Sequence, residues 1–75
     1  MNRAGDTAQM VRDALAYDER LNAANLVVRV ADGIVTLSGV VFSEAERQEA
    51  EEVARQVPGV ARVVNEILVV PLASH

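Results

Sequence analysis

The 75-residue sequence contains no cysteine, lysine or tryptophan, and has one phenylalanine, one tyrosine and one histidine. Without cysteine, neither a disulfide framework nor a thiolate metal site is possible. The apolar half of the composition is mostly alanine and valine, so the core must be built from small and branched side chains. A chain this short forms one domain. We predict a single domain over residues 1–75, with a core at about 7–70 and a tail at 71–75.

A concentrated basic region is also missing. The formal net charge is −4, and the seven basic residues are arginines scattered from Arg3 to Arg62. Proteins that bind nucleic acid cluster Lys and Arg to neutralise phosphates. We therefore expect no nucleic-acid partner.

Long apolar runs are absent as well. Residues 1–13 contain no stretch typical of a signal peptide, and no segment approaches the ~20 apolar residues of a membrane span. The sequence as written predicts a cytoplasmic protein, or a periplasmic one if this is a domain excised from a longer chain.

The residues needed for catalysis do not form a set. The histidine is His75, at the terminus, where chains are usually disordered. A nucleophile needs a neighbouring base, and the serines have none. The carboxylates between Glu44 and Glu52 share one predicted helix and lack the loop that calcium requires, so a solvated helix face is the simpler interpretation. We expect no enzyme activity, no cofactor and no metal.

The first third of the chain predicts a helix and a short turn. Asp6 and Gln9 have the spacing of a capping box, which predicts a helix over 7–17. Asp18 is then a candidate cap for a single helical turn at 19–23.

A hairpin follows. Residues 26–30 and 34–38 are rich in β-branched side chains, and Asp32-Gly33 between them is typical of a two-residue type I′ turn. Gly39 then predicts either a bulge or a close approach by a helix. The residues expected to face the core are Leu26, Val28, Val30, Val35 and Leu37.

The second half predicts a helix and a strand. Ser43 as N-cap and Glu46 three residues later form a second capping box. Pro58-Gly59 is a stop signal, and residues 62–70 form the last strand. Helix two should face the core with Ala50, Val53, Ala54 and Val57.

Two segments resemble one known family, the BON domain of bacterial osmotic-stress and nodulation proteins. They are Val28-x-Val30-x-x-Gly33-x-Val35-Thr36-Leu37-Ser38-Gly39 and Ala50-x-x-Val53-Ala54-x-x-Val57-x-Gly59-Val60-x-x-Val63-x-Asn65. The resemblance runs from about residue 11 to 70. It implies an α+β fold of order αββαβ, with two helices on one face of a three-stranded mixed sheet of strand order 1-2-3. It also implies a non-enzymatic module, often in the cell envelope, that is proposed to bind phospholipid surfaces or partner proteins.

The last predicted strand is apolar on both faces, although helices are expected to cover only one. If Val63, Ile67 and Val69 face the helices, the residues that alternate with them face the open side of the sheet. Arg29 and Glu66 are the charged exceptions on that side. We predict an interface for a protein partner or a second copy (a homo-oligomer), because such patches mark interaction sites. Membrane phospholipid is the alternative partner, although dispersed arginines and the lack of tryptophan favour it less. The predicted interface is Val27, Ile34, Thr36, Val64, Leu68 and Val70.

Overall fold

A computed structural model describes the backbone of residues 3–71 and the side chains of residues 6–71. Two helices pack on one face of a mixed β-sheet, which confirms the predicted α+β class. His75 and most of the predicted tail lie outside the described residues. The elements, in chain order, are α1 (Arg3–Tyr17), a 3₁₀ helix (Ala23–Asn25), β1 (Leu26–Ala31), β2 (Ile34–Val41), α2 (Glu44–Arg55), β3 (Arg62–Asn65) and β4 (Leu68–Val69).

The strand order is β1-β2-β3, with β4 also paired to β2. β1 and β2 are antiparallel, and Ala31 pairs with Ile34 across the two-residue turn. Asp32 and Gly33 have φ of 53° and 78°, as a type I′ turn requires. A residue outside the hairpin stabilises the turn, because the backbone N–H of Ala61 donates to the Gly33 carbonyl at 2.8 Å.

The core lies between the helices and β2. Both helices contact the sheet and each other. In α2, Ala50 and Ala54 are completely buried, and their short side chains let the helix lie close to the strands. The fully buried larger side chains are Leu15, Leu37, Val11 and Val35.

The start of α1 differs from the prediction. The helix begins at Arg3 and not at residue 7, so Asp6 lies in its first turn and not at the N-cap. Gln9 Nε2 donates forward to Asp13 Oδ1 at 2.9 Å and does not reach back. The Asp–x–x–Gln spacing is equally compatible with the helical interior, where polar side chains four residues apart also bond.

The connection from α1 to β1 also differs. The predicted helical turn at 19–23 is instead a tight turn in which Asp18 Oδ1 accepts from the Arg20 N–H at 2.9 Å. The helical turn comes later, as the 3₁₀ helix, whose N-cap Asn22 accepts from the Ala24 N–H. Leu21, between the two turns, belongs to the core.

The second helix begins as predicted. Ser43 is the N-cap, and its Oγ accepts from the Glu46 N–H at 3.2 Å. Glu46 reaches back one residue further than a capping box requires, because its Oε1 accepts from the Phe42 N–H at 2.8 Å. The helix ends at Arg55, before Pro58, and Gly59 (φ 94°) turns the chain towards β3.

Gly39 lies inside β2, which continues to Val41 and not only to residue 38. Its φ is 118°, and a Cβ atom there would lie 2.1 Å from the carbonyl oxygen of Asn25. The close neighbour is therefore the end of the 3₁₀ helix and not one of the two main helices. Glycine lets β2 pass close to this carbonyl and still pair with Leu26.

The predicted strand over 62–70 is interrupted at residues 66–67. β3 pairs with β2 up to Leu37–Asn65, and pairing resumes at Val40–Leu68 in the same parallel register. Asn65 explains the break, because its Oδ1 accepts from the Ile67 N–H at 3.0 Å. Its Nδ2 donates to the Arg47 carbonyl of α2 at 3.1 Å.

We expect Gly39→Ala to lower the free energy of unfolding by about 3 kcal/mol, since the variant combines an unfavourable positive φ with a backbone clash. Urea denaturation followed by circular dichroism measures the loss. Ser38→Ala, one residue away, is the control and should change stability by less than ~0.5 kcal/mol. Equal stability of the two variants would contradict the close approach of Asn25.

Asn65→Ala should cost about 1–3 kcal/mol, because it leaves the Ile67 N–H and the partners on α2 without the amide. Asn65→Asp is the matched variant, since it keeps an acceptor for Ile67 but loses both donors. Its carboxylate then faces Glu51, whose Oε1 accepts from Asn65 Nδ2 at 3.2 Å. We expect the aspartate variant to lose stability as pH rises through its carboxyl pKa, measured by thermal unfolding across pH.

Candidate interaction surface

The sheet face opposite the helices, called here the open face, carries the predicted interface residues. Among the described residues no helix packs on it, because both helices lie on the side of Leu37 and Val63. The registers place Arg29, Thr36 and Val64 in one row across the three strands. Thr36 and Val64 are partly buried, while four residues are well exposed: Val27 (51%), Ile34 (38%), Leu68 (63%) and Val70 (49%).

The open face extends further along β2 than the sequence predicted. Val40 pairs with Leu68, and the Val70 N–H donates to the Val41 carbonyl at 2.8 Å. Phe42 follows at the same end and is 41% exposed. Val40 and Phe42 were missed because the strand was ended at the glycine. The available signal was the run of three apolar residues, Val40-Val41-Phe42, that follows Gly39.

The charged residues of the open face are few and of mixed sign. Arg29 lies on β1, Arg62 on β3, and Glu66 directly after β3. Within the described residues none of the three forms an ion pair. The arginines of α2 differ, because Arg47 pairs with Glu44 at 2.7 Å and Arg55 pairs with its own helix. The open face therefore presents charges that have no ion-pair partner among the residues the structure describes.

A separate feature, a groove, lies at the hairpin end of the sheet. An open groove of ≈ 660 Å³ separates α1 from the β1–β2 turn, and Asp6 and Asp32 contribute carboxylates to it. Within the described residues, no three His, Cys, Asp or Glu side chains are grouped to hold a metal ion. In the same part of the chain, no helix has the length and apolarity to cross a membrane.

A carboxyl pair joins the α1–β1 turn to α2. A hydrogen bond with Asp18 raises the pKa of Glu49, and the same bond lowers the pKa of Asp18. Arg20 Nη1 lies 3.7 Å from Glu49 Oε1 and acts in the opposite direction on Glu49. The neighbouring carboxylate has the larger effect, because it accepts the proton that Glu49 retains.

The comparisons with known proteins agree with this architecture. Residues 4–71 match the family model described as "BON domain". The chain therefore belongs to the BON domain family, as the sequence resemblance suggested. It is similar to "Osmotically-inducible protein Y" of Escherichia coli (strain K12), with 38% identity over 66 residues. The alignment covers 85% of this chain and 33% of that protein, so the chain spans about a third of the length of its relative.

The carboxyl pair predicts a pH dependence of stability. Since folding raises the pKa of Glu49, its contribution is fully present below the unfolded pKa and is lost as pH rises through the folded pKa. Glu49→Gln keeps a donor towards Asp18 at every pH and removes the repulsion. We expect the melting temperature of the variant minus that of the wild type to become more positive as the pH rises from about 4 to about 7.

Glu44→Gln is the control of opposite sign. A hydrogen bond from Arg47 lowers the pKa of Glu44, so its contribution is present above the unfolded pKa and is lost as pH falls through the folded pKa. That variant should be less stable than the wild type near neutrality and equal to it in acid. If the melting temperatures of the two variants, relative to the wild type, changed with pH in the same way, the assignment of the Asp18–Glu49 pair would be contradicted.

Proposed function

We propose that this chain is a non-catalytic interaction module that docks to protein, either a partner or a second copy, through the open face. The observation that carries the proposal is a sheet with apolar side chains on both faces and helices on one. Burying apolar surface contributes about 25 cal/mol per Å². The exposed residues form a patch of a few hundred Å², the size at which patches on monomers are often functional.

The relative supplies a physiological setting for the proposal. Its name describes osmotic induction, and its source is a bacterium. We extend the proposal to a role in the bacterial osmotic-stress response, in the cell envelope that the family resemblance implies. The 33% coverage of the relative makes this chain the counterpart of one part of that protein.

A peripheral membrane module is the second candidate. Arg29 and Arg62 lie on the face that exposes Leu68 and Val70, and neither forms an ion pair with another described residue. Basic residues beside apolar ones suit an anionic lipid surface. Glu66 on the same face and the net charge of −4 oppose such binding. Protein docking is therefore the first proposal.

Site-specific photocrosslinking tests the docking face. A photoreactive amino acid replaces Leu68 on the open face or, as the matched control, the exposed Ala45 on α2. We expect protein adducts from position 68 at a yield at least about tenfold above those from position 45, because a docked surface holds its partner within reach of the probe. Mass spectrometry separates adducts of this chain with itself from those with other proteins.

Vesicle co-sedimentation separates the two candidates. Vesicles of phosphatidylethanolamine alone are compared with vesicles that also contain phosphatidylglycerol. Sedimentation only with the anionic lipid, abolished by Arg29→Glu together with Arg62→Glu, would replace the docking proposal by the membrane one. Absence of adducts at position 68 together with absence of vesicle binding would overturn both.

A further inference from the structure

We propose that the outer edge of β1 binds an extended segment of another protein as an added strand. The segment carries an acidic residue opposite Arg29 and an apolar residue on either side of it. This surface is separate from the open face, and the inference does not depend on the docking proposed there.

The hydrogen-bonding pattern of the hairpin decides which backbone groups of β1 face outwards. The pair of residues that flanks the two-residue turn is hydrogen-bonded, so alternate residues of β1 direct their N–H and C=O groups away from β2. Leu26 agrees with this alternation, because its N–H donates to the Ala23 carbonyl outside the ladder. Val28 and Val30 are the other outward residues. Within residues 3–71, neither of them forms a backbone hydrogen bond at that edge.

The two edges of the sheet differ in their protection. At the far edge, the N–H groups of Glu66 and Val70 donate to β2, so the N–H of Ile67 between them faces outwards. The Asn65 side chain accepts from that N–H and also donates to α2, so it covers this edge. β1 is six residues long, pairs without a bulge and contains no proline, so it lacks these common means of blocking an edge. The edge of β1 is therefore open to an added strand.

Two grooves between β1 and α1 match the side chains of an added strand. The groove at the hairpin end includes Met10 and Val30, and a second groove of ≈ 340 Å³ includes Ala16 and Val28. Side chains on one face of a strand repeat every two residues, about 6.6–6.8 Å, which is the interval between Val28 and Val30. In strand addition, the main chain supplies affinity and alternate side chains enter pockets. Since the walls of both grooves are mainly apolar, the residues that enter them should be apolar.

Arg29 determines the residue between the two apolar positions. Its side chain lies on the side of β1 opposite the grooves and is exposed, and no described residue forms an ion pair with it. Its neighbours on that side of β1, Val27 and Ala31, are uncharged. The residue of the added strand directly opposite Arg29 has its Cα about 4.5 Å away, and opposite charges at such positions stabilise the pairing.

Other charges near the edge do not oppose an acidic residue there. On the open face, Arg62 and the oppositely charged Glu66 belong to the far side of the sheet. Three strand spacings, about 14 Å, separate them from the added strand, which exceeds the range of unscreened interaction at physiological salt. The charged residues of the groove walls lie on the other side of the strand, and they are Asp6, Arg12, Asp13 and Asp32.

A second copy of this chain fits the edge poorly. The register that joins Val28 of each copy to Val30 of the other places Arg29 directly opposite the Arg29 of the second copy, and like charges there are destabilising. Shifted registers pair Val28 or Val30 with its own counterpart. The first of these extends into Leu26, whose N–H is already used, and the second extends past Ala31 into the turn. The structure therefore favours a different chain that carries a carboxylate.

Titration with a defined peptide tests strand addition. The probe is acetyl-Thr-Val-Glu-Val-Thr-amide, added to the isotope-labelled protein at up to about 5 mM, the range of weak complexes, and followed by NMR. We expect saturable shifts of the amide signals of Val28 and Val30, and slower exchange of these two N–H groups with solvent. The amide signals of Val63 and Val69, in the strands at the other edge, should not move.

Two methylated peptides form a matched pair. In the bound register, the N–H groups of the two peptide valines point at β1, and that of the glutamate points away. N-methylation of the first valine should weaken binding by about tenfold or more, because it removes a donor and blocks the approach of the main chain. N-methylation of the glutamate should leave the affinity within about twofold. Equal weakening by the two modifications would overturn strand addition.

Reversal of charge tests the acidic position. Arg29→Glu should weaken binding of the glutamate peptide by about tenfold and should bind acetyl-Thr-Val-Lys-Val-Thr-amide more tightly than the glutamate peptide. Arg55→Glu, at an exposed position of α2, is the matched control with the same change of net charge. It should leave both affinities within about twofold, and circular dichroism establishes that each variant is folded. A wild type that binds the two peptides equally well would overturn the acidic position.

Two further results would overturn the inference as a whole. One is the absence of shifts at Val28 and Val30 up to the highest peptide concentration. The other is slow exchange of the same two N–H groups in the free protein together with dimers in sedimentation equilibrium, which would make a second copy the occupant. Neither result bears on the open face, because crosslinking from position 68 measures docking there independently.

Discussion

The close approach of the Asn25 carbonyl to Gly39 of β2 is the constraint on which the sheet depends. A Cβ at position 39 would lie 2.1 Å from that oxygen, so only glycine allows the approach. The approach places the end of the 3₁₀ helix against the sheet, and β2 runs on past Gly39 to Val41. At the other edge of β2, the pairing with the last strand is interrupted for two residues and then resumes in the same register.

Asn65 completes that arrangement from the side of the helices. Its side-chain Nδ2 donates to the backbone of α2, and its side-chain Oδ1 accepts from the Ile67 N–H at the break in the last strand. A side chain thus satisfies the Ile67 N–H at the place where the ladder is interrupted. The same contact fixes the position of α2, whose buried alanines permit the close packing. The helix layer and the strand break are one structural unit.

Much of this could be predicted from residue patterns. The Asp-Gly turn, the Ser43 cap and the apolar stripe of α2 are local signals, and each formed where it was expected. The start of α1 was misplaced because a polar spacing that suits an N-terminus also suits a helical interior. The broken strand could not be foreseen, because its cause is a contact between residues 18 positions apart. The open face was predicted because the last strand is apolar on both of its sides, and Val40 was missed where glycine was taken as an end.

The parallel pairing of β2 with β3 has a consequence for the order of folding. The β1–β2 hairpin closes through a two-residue turn and forms from neighbouring residues. β3 and β4 reach the other edge of β2 only after the chain has passed through all of α2, and contacts of that separation form slowly. Until then β2 exposes an unpaired edge rich in valine, the kind of edge that recruits strands from other molecules. The time needed to close this long-range pairing therefore sets how long the nascent chain is open to misassembly.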